Sequence, residues 1–419
     1  MNGGTAADED RGRIEAIDAV RGFAVCGILI MNVVAMAMPV YAYADPTYYG
    51  GATGWNLAAW AFAYIFADGK MRALFTLLFG ASTLLIADRA EGRAPGPAQT
   101  HYRRMAWLFV FGMIHAWGFW YGDILVEYAV CGGLIFLARK WPTGAILFTA
   151  GLFLLIALAL DLAQWQALAA LKAAATGAHP PAAATTAWNA LLADASPRSP
   201  AVAREISLYR GGIADVFAAR APTTRLFQTS LLPASLPETL GYALAGMALL
   251  RAGFLNGAWP RRYYAWLVAI GLGVAVPLHL PVAWLLVARH FDPPAIPLAE
   301  ALGFVLRPWI ALAYASAIIL LATSGRARAP VVRLAAAGRM AFSNYLGTTL
   351  VATTLFYGYG FGLFGRLDRA QLWFVIIAIW LLILGWSKPW LDRFAYGPLE
   401  WLWRSLARGA RQSFRRISY

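Results

Sequence analysis

Long apolar runs separated by short polar segments dominate the sequence. The runs extend over about 18–22 residues, the length that an α-helix needs to cross a hydrocarbon core of ~30 Å. This pattern predicts an all-α, polytopic membrane protein with about ten transmembrane helices. The predicted spans are residues 19–40, 70–87, 103–121, 123–138, 142–163, 236–252, 262–281, 299–322, 338–357 and 371–387.

Basic residues concentrate in the short segments between these runs. With the N-terminus inside, the cytoplasmic segments hold 22 Lys and Arg, whereas the short outer loops hold three. Lys and Arg near the ends of spans are favoured on the cytoplasmic side of a membrane. We therefore predict that both termini are cytoplasmic and that the chain lies in the cytoplasmic (inner) membrane of a bacterium.

The span pattern also predicts a division of the chain into five parts. Residues 163–175 and 201–220 of the long outer segment are expected to form helices, separated by proline-rich turns. The five parts are a cytoplasmic segment (1–18), a first helix group (19–163), an extracytoplasmic cap (164–235), a second helix group (236–387) and a basic, aromatic cytoplasmic tail (388–419).

Composition supports the membrane class. Hydrophobic residues make up 60% of the chain and charged residues 13%, against about 45–50% and about 25% in soluble domains. The net charge of +14 lies in short loops, which indicates contact with anionic lipid headgroups and argues against nucleic acid as a partner. There is no nucleotide-binding motif and no Cys/His spacing of a metal site, so no metal is expected.

Four polar residues are predicted to share one level in the outer third of the membrane. His115 and Glu127 flank the hairpin apex at Gly122 and lie roughly 10 Å and 8 Å below it. Arg307 is roughly 12 Å deep in its span, and Asn32 lies at a similar depth. Polar groups inside a membrane are costly and are candidates for function by default.

Two interpretations of this level remain open. In the functional one, His115 is a general base or an acyl carrier, Glu127 orients it, and Arg307 and Asn32 stabilise developing charge. In the structural one, Glu127 and Arg307 form a buried ion pair, and His115 hydrogen-bonds a carbonyl group between helices.

A second polar cluster is predicted at the cytoplasmic face. Asp18 and Arg21 are three residues apart on one helix face and can pair. Arg339 and the pair Arg103–Arg104 lie at the same level. Arginines bind phosphate in a bidentate manner, so the cluster is either a pocket for a phosphate-bearing donor or a contact with anionic lipid.

Several motifs in order along the chain resemble the YeiB-like family of bacterial membrane proteins. That family is itself similar to transmembrane acyltransferases such as heparan-α-glucosaminide N-acetyltransferase. The motifs are Ile17–Gly22 (with D-x-x-R-G), Gly69-Lys70 through Gly80, Gly112–His115, Tyr121–Leu125, Gly338–Met340, Asn344-Tyr345 and Gly397–Arg404.

The resemblance implies transfer of an acyl group from a cytosolic acyl-CoA or acetyl-CoA to an acceptor at or across the membrane. It carries over Asp18, Arg21 and Gly22 directly, and we expect the donor to bind near Asp18, Arg21, Arg339 and Asn344. The acetyltransferase carries its key histidine before a Trp-Asn pair; here the matching stretch 50–56 has no histidine, so His115 becomes the candidate. The acceptor is a sugar, a lipid or another small molecule.

Two alternatives to acyl transfer remain. The first is a small-molecule or lipid transporter with a proton-linked site of His115, Glu127 and Arg307. The second is a scaffold or sensor in which the polar cluster is structural. Small-residue helix faces also permit a homodimer.

Overall fold

A computed structural model describes residues 6–92, 95–194 and 196–415. The first five residues of the predicted segment 1–18 and the last four of the predicted tail lie outside this description. The described chain contains helices and no strand, which confirms the predicted all-α class. The α-helices are α1 (Ala6–Ala37), α2 (Gly54–Phe66), α3 (Lys70–Ala90), α4 (Pro97–Gly118), α5 (Leu125–Ile135), α6 (Thr143–Thr176), α7 (Ala182–Asp194), α8 (Pro200–Tyr209), α9 (Ile213–Leu226), α10 (Leu232–Arg251), α11 (Arg261–Ile270), α12 (Val276–Ala288), α13 (Ala295–Ser324), α14 (Arg328–Arg339), α15 (Ala341–Phe356), α16 (Arg369–Arg393) and α17 (Pro398–Arg408).

Short helical turns of other types connect some of these helices. The 3-10 turns are Val40–Tyr43 and Phe136–Lys140. The π-helical turns are Phe227–Leu231, which joins α9 to α10, and Gly271–Ala275, which joins α11 to α12.

Six helical stretches of the described chain are long and apolar enough to cross a membrane. They are Glu15–Ala37, Gly54–Ala90, Thr143–Thr176, Arg261–Ala288, Ala295–Ser324 and Arg369–Arg393. The other four predicted spans fall on α4, α5, α10 and α15. Of these, α5 has 11 residues and is only about 16 Å long, shorter than the predicted span 123–138. The chain is thus an all-helical membrane protein.

The long segment predicted as a cap contributes the end of α6 and all of α7, α8 and α9. Residues 163–175 belong to α6, which continues without a break because Ala, Leu and other strong helix formers fill this stretch. The predicted helix at 201–220 is present as α8 and α9, and α7 was not predicted. Proline-containing turns separate α6 from α7 and α7 from α8, as expected, and Arg210-Gly211-Gly212 separates α8 from α9.

Glycines allow the central helices to approach each other closely. A Cβ atom on Gly22 of α1 would lie 2.0 Å from the Leu334 carbonyl oxygen of α14, and one on Gly338 would lie 1.9 Å from the Asp18 carbonyl oxygen. The contact between α3 and α10 is built in the same way, from Gly80 and Gly246. These positions therefore admit no side chain while the backbones keep their separation.

The C-terminal helix α17 is fixed to the rest of the molecule by a buried carboxylate. Glu400 accepts hydrogen bonds from the backbone N–H groups of Phe342 (2.8 Å) and Ser343 (3.0 Å) and from the Ser343 hydroxyl. It thereby satisfies N–H groups at the start of α15 that have no partner within the helix. Trp403 of α17 also donates to the Arg104 carbonyl oxygen of α4 (2.9 Å).

Candidate functional site

His115 lies at the end of α4, buried with 1% of its surface exposed. Its Nδ1 atom is 2.7 Å from Asp123 Oδ1, and its Nε2 atom is 3.0 Å from the Thr349 hydroxyl of α15. Because a carboxylate oxygen accepts, we assign the ring proton to Nδ1. The single proton of the Thr349 hydroxyl is then assigned to the contact with Nε2 (3.0 Å), which is shorter than the contact with the Tyr345 carbonyl oxygen (3.3 Å). The three side chains form a buried Asp–His–Thr chain.

Asp123 is held in place by the turn between α4 and α5. Its Oδ2 atom accepts from the Val126 backbone N–H (2.9 Å), as an N-cap side chain does at the start of a helix. Gly112 brings α4 close to this turn, because a Cβ there would lie 2.6 Å from Val126 N. The same carboxylate thus starts α5 and orients His115.

The prediction that Glu127 orients His115 is wrong. Glu127 accepts from Ser235 (2.9 Å) and Thr239 (2.5 Å) of α10 instead. Helix rise alone gave the depth of Glu127 but not the direction of its side chain, which faces away from His115. Asp123 lies four residues earlier, in the turn before α5. It is the residue that the sequence analysis missed, although it belongs to the motif Tyr121–Leu125.

Arg307 does not contact His115 or Glu127, so the alternative Glu127–Arg307 ion pair is wrong. Its guanidinium binds Glu238 of α10, and its Nη2 atom lies 3.0 Å from Glu300 Oε2. Arg72 of α3 binds the second oxygen of Glu238. Two arginines and two glutamates therefore form a closed, charge-balanced network that joins α3, α10 and α13.

Asn32 is half-buried in α1. Among the described residues it makes no hydrogen bond to His115, Glu127 or Arg307. The structure therefore does not bring the four candidates of the outer level into one constellation.

At the other end of α1, Asp18 and Arg21 pair as expected. Arg21 Nη1 lies 2.8 Å from Asp18 Oδ1, and Nη2 donates to the Ser82 hydroxyl (2.9 Å). Arg339 is exposed, and its charge acts on Asp18. The geometry thus groups these three residues of the predicted donor site.

Asn344 is the fourth residue of the predicted donor site, and its side chain is hydrogen-bonded within the helix bundle. Its Nδ2 atom donates to the Ala337 carbonyl (3.0 Å) and to Ser387 (3.1 Å), and its Oδ1 atom accepts from Trp386 (2.9 Å). The amide therefore holds α14, α15 and α16 together.

Comparison with known proteins gives relatives along nearly the whole chain. A family model described as "Protein of unknown function (DUF418)" matches residues 249–410. The chain is 33% identical over 403 residues to "Uncharacterized protein YeiB" of Escherichia coli (strain K12), covering 93% of this chain and 95% of the relative. It is 27% identical to "Uncharacterized protein YxaH" of Bacillus subtilis (strain 168), covering 94% of each. No solved structure matches the chain significantly. The extent and identity of the first match show that this chain belongs to the YeiB-like family.

Proposed function

We propose that the protein is an acyl-CoA-dependent acyltransferase of the bacterial cytoplasmic membrane, with about ten spans and both termini in the cytoplasm. The observation that supports this function best is the buried Asp123–His115–Thr349 chain. A carboxylate on one ring nitrogen fixes the tautomer and leaves the other nitrogen free to accept a proton, the arrangement of a general base.

In the proposed reaction, the acceptor's hydroxyl or amine takes the place of the Thr349 hydroxyl next to His115 Nε2. His115 removes its proton as the oxygen or nitrogen attacks the thioester carbonyl carbon. The tetrahedral intermediate then collapses, the C–S bond breaks, and the proton on His115 passes to the leaving CoA thiolate. Asp123 stabilises the imidazolium between these two steps.

The donor enters at the cytoplasmic end of α1, where Arg21 and Arg339 bind its phosphates and Asp18 holds the Arg21 guanidinium in place. Along α1 the donor residues and the level of Tyr121, which donates to the Ala35 carbonyl (3.0 Å), are roughly 25 Å apart. In this proposal the arm of acyl-CoA runs from this end of α1 between the helices toward His115. The cap above His115 selects the acceptor, whether a sugar, a lipid or another small molecule.

The transporter alternative requires His115, Glu127 and Arg307 to act together. We prefer acyl transfer because each of these side chains has its own separate partners. Arg307, which binds Glu238 and Glu300, receives no role in stabilising the oxyanion. Asn32 receives none because it makes no hydrogen bond to His115 among the described residues.

Binding of acetyl-CoA and longer acyl-CoAs to the detergent-purified protein, measured by calorimetry, tests the donor site. We expect micromolar binding that weakens by about tenfold in Arg21→Ala, which removes one charge-assisted phosphate contact. Arg326→Ala, at an exposed loop position, is the matched control and retains the wild-type affinity. Absence of binding by folded protein contradicts the proposal.

Release of CoA from a bound acyl-CoA tests the catalytic role. His115→Gln and Asp123→Asn are each expected to slow release about 100-fold or more, since general-base catalysis contributes about 10²–10⁴-fold. Glu127→Gln changes a neighbouring buried carboxylate that does not contact His115, and we expect less than a threefold effect, about the scatter of a remote substitution. Wild-type rates in His115→Gln exclude this mechanism.

A further inference from the structure

Four arginines from three helices come together without a carboxylate partner. They are Arg89 at the end of α3, Arg104 in α4, and Arg404 and Arg408 of α17, and we call them the arginine cluster. The charges of Arg404 and Arg408 repel that of Arg104, and those of Arg408 and Arg89 repel that of Arg404. Among the described residues, no carboxylate lies within ion-pair distance of any of the four. Glu400, the acidic residue of α17, is used by backbone N–H groups of α15, so the chain leaves this positive charge unbalanced.

Two of these arginines are held in place by aromatic rings. The guanidinium carbon of Arg104 lies 4.0 Å from the centre of the Trp403 ring, and that of Arg404 lies 4.4 Å from the centre of the Tyr396 ring. Trp403 is itself fixed, since its Nε1 atom donates to the Arg104 carbonyl oxygen. A guanidinium that stacks through its face keeps its N–H groups at the edge, where they can bind two phosphate oxygens at once. Stacking therefore orders both side chains and leaves their donors free.

The donors of the arginine cluster are largely unused and accessible. The side chains of Arg104 and Arg404 make no hydrogen bond among the described residues, and Arg104 Nε is buried without a partner. Arg408 donates to Gln412 Oε1 (2.6 Å). Arg89 and Arg408 are exposed and the other two are half-buried, so the edges of the cluster open to the surroundings of the protein. The cluster thus has both the space and the unpaired donors to bind an anion.

The surroundings of the cluster favour a lipid headgroup as this anion. The helix that carries two of the arginines, α17, is strongly amphipathic, and basic residues beside Trp and Tyr are typical of a surface at the level of lipid headgroups. The helix that carries Arg104 exposes the apolar side chains of Tyr102, Phe109 and Val110. Acyl chains attached to a headgroup at the cluster therefore have an apolar surface to lie on, whereas a soluble anion makes no use of it.

We propose that the arginine cluster binds the headgroup of an anionic phospholipid that carries two phosphate groups. Two phosphates balance the four arginines better than one does, and they contact α3, α4 and α17 together. The cluster adjoins the proposed donor site, because the charge of Arg89 also acts on Asp18, the partner of Arg21. It uses other side chains, however, and the proposal does not depend on acyl transfer. Of the two roles open to Arg104, it selects contact with lipid.

Native mass spectrometry of the delipidated full-length protein in a non-ionic detergent tests the site. The probes are cardiolipin with two phosphates, phosphatidylglycerol with one, zwitterionic phosphatidylcholine, and inorganic pyrophosphate as the soluble anion. We expect saturable binding of cardiolipin, about tenfold tighter than that of phosphatidylglycerol, because the second phosphate adds charge-assisted contacts. Phosphatidylcholine and pyrophosphate should bind more weakly still.

The other outcomes each contradict a part of the proposal. Phosphatidylcholine binding as tightly as cardiolipin shows that headgroup charge is not recognised and overturns the site. Phosphatidylglycerol binding as tightly as cardiolipin overturns the requirement for two phosphates. Displacement of cardiolipin by an equal concentration of pyrophosphate assigns the cluster to a free phosphate anion and overturns the assignment to lipid.

Variants locate the binding. Arg404→Gln keeps a long polar side chain and removes the charge, and we expect cardiolipin to bind about fivefold more weakly or worse. The matched control is Arg262→Gln, because Arg262 is exposed and also stacks on an aromatic ring, Tyr263 at 5.0 Å, but is not among the charges that act on the cluster. An equal loss in Arg262→Gln would mean that overall charge attracts the lipid and overturns the site, as would full binding by folded Arg404→Gln. If Arg404→Gln does not fold, the exposed Arg408→Gln decides by the same comparison.

Discussion

At the scale of single residues, the role of a buried polar side chain depends more on its hydrogen-bond partner than on its depth in the membrane. The sequence was sufficient to predict that His115 is buried near a hairpin apex, because the apolar runs and the 1.5 Å rise per residue fix the depth of a helical position. It was not sufficient to choose between Asp123 and Glu127, since this depends on how α4, α5 and α10 are rotated about their axes. Tertiary contacts such as Glu127 with Thr239 have no signal in a single sequence.

Thr349 offers a test of the contact with His115. The hydroxyls of Thr348 and Thr349 each lie near the backbone carbonyl four residues earlier, at 2.7 Å and 3.3 Å, and only that of Thr349 is also within 3.0 Å of His115 Nε2. We expect Thr349→Val to lower the free energy of unfolding by about 1 kcal/mol more than Thr348→Val, the net contribution of one hydrogen bond. Thermal unfolding in detergent measures the difference. Equal effects of the two substitutions contradict the contact.

At the scale of helices, lengths and crossings were predictable to different degrees. The break before α7 was expected from the prolines that precede it. The length of α6 was underestimated, because its apolar span continues into an alanine-rich stretch of high helix propensity. Helix crossings were not predictable from the glycines alone. Gly22 and Gly151 look equally apolar in sequence, yet only Gly22 faces the backbone of another helix.

This difference gives a prediction for Gly22→Ala. The new Cβ would lie 2.0 Å from the Leu334 carbonyl oxygen, so α1 and α14 must separate, at a cost of roughly 1–3 kcal/mol. Gly151→Ala in α6 meets nothing within 4 Å and should be neutral or stabilising by up to about 1 kcal/mol. Melting temperatures of the two variants provide the comparison. A Gly22→Ala protein as stable as Gly151→Ala rules out the close crossing.

The contact of α8 with the end of α1 depends on pH. Glu205 accepts from the Val40 backbone N–H (3.1 Å), and burial raises its pKa to about 7 from 4.5. Because the folded protein then binds this proton more tightly than the unfolded chain, the contribution of Glu205 to stability is full at low pH. It decreases as the pH rises from about 4.5 to about 7.

We therefore expect α8 to be bound less tightly at pH 8 than at pH 6. Hydrogen exchange of the amides of Met38 and residues 40–43, corrected for the intrinsic dependence on pH, should be faster at pH 8 in the wild type. Glu205→Gln, which stays neutral, should remove this difference. A corrected exchange rate that is the same at both pH values in the wild type contradicts the prediction.

At the scale of the whole molecule, the C-terminal helix is an integral part of the helix bundle. The sequence predicted a basic, aromatic tail, and its amphipathic pattern is present in α17. The pattern could not indicate that Glu400 reaches the start of α15, because that contact joins segments 57 and 58 residues apart in the chain.

Glu400→Ala should release α17. It leaves the Phe342 and Ser343 N–H groups without an acceptor, which costs roughly 1–3 kcal/mol. Glu400→Gln keeps a carbonyl oxygen for both and should cost less. The rate of trypsin cleavage after the arginines of α17 measures the release. We expect cleavage to be fastest in the alanine variant, slower in the glutamine variant and slowest in the wild type. Cleavage of the alanine variant at the wild-type rate would mean that α17 is held by its aromatic contacts alone.

The length of α6 has a consequence for how the protein responds to the thickness of a bilayer. The helix has 34 residues and is about 50 Å long, well beyond a hydrocarbon core of ~30 Å. Its last turns carry α7 and, through Lys172 and Asp292, the turn before α13. A long helix adapts to a thinner bilayer by tilting, and a tilt of this rigid rod displaces everything attached to its far end. We therefore expect the thickness of the surrounding bilayer to change the positions of α7 and of the turn before α13.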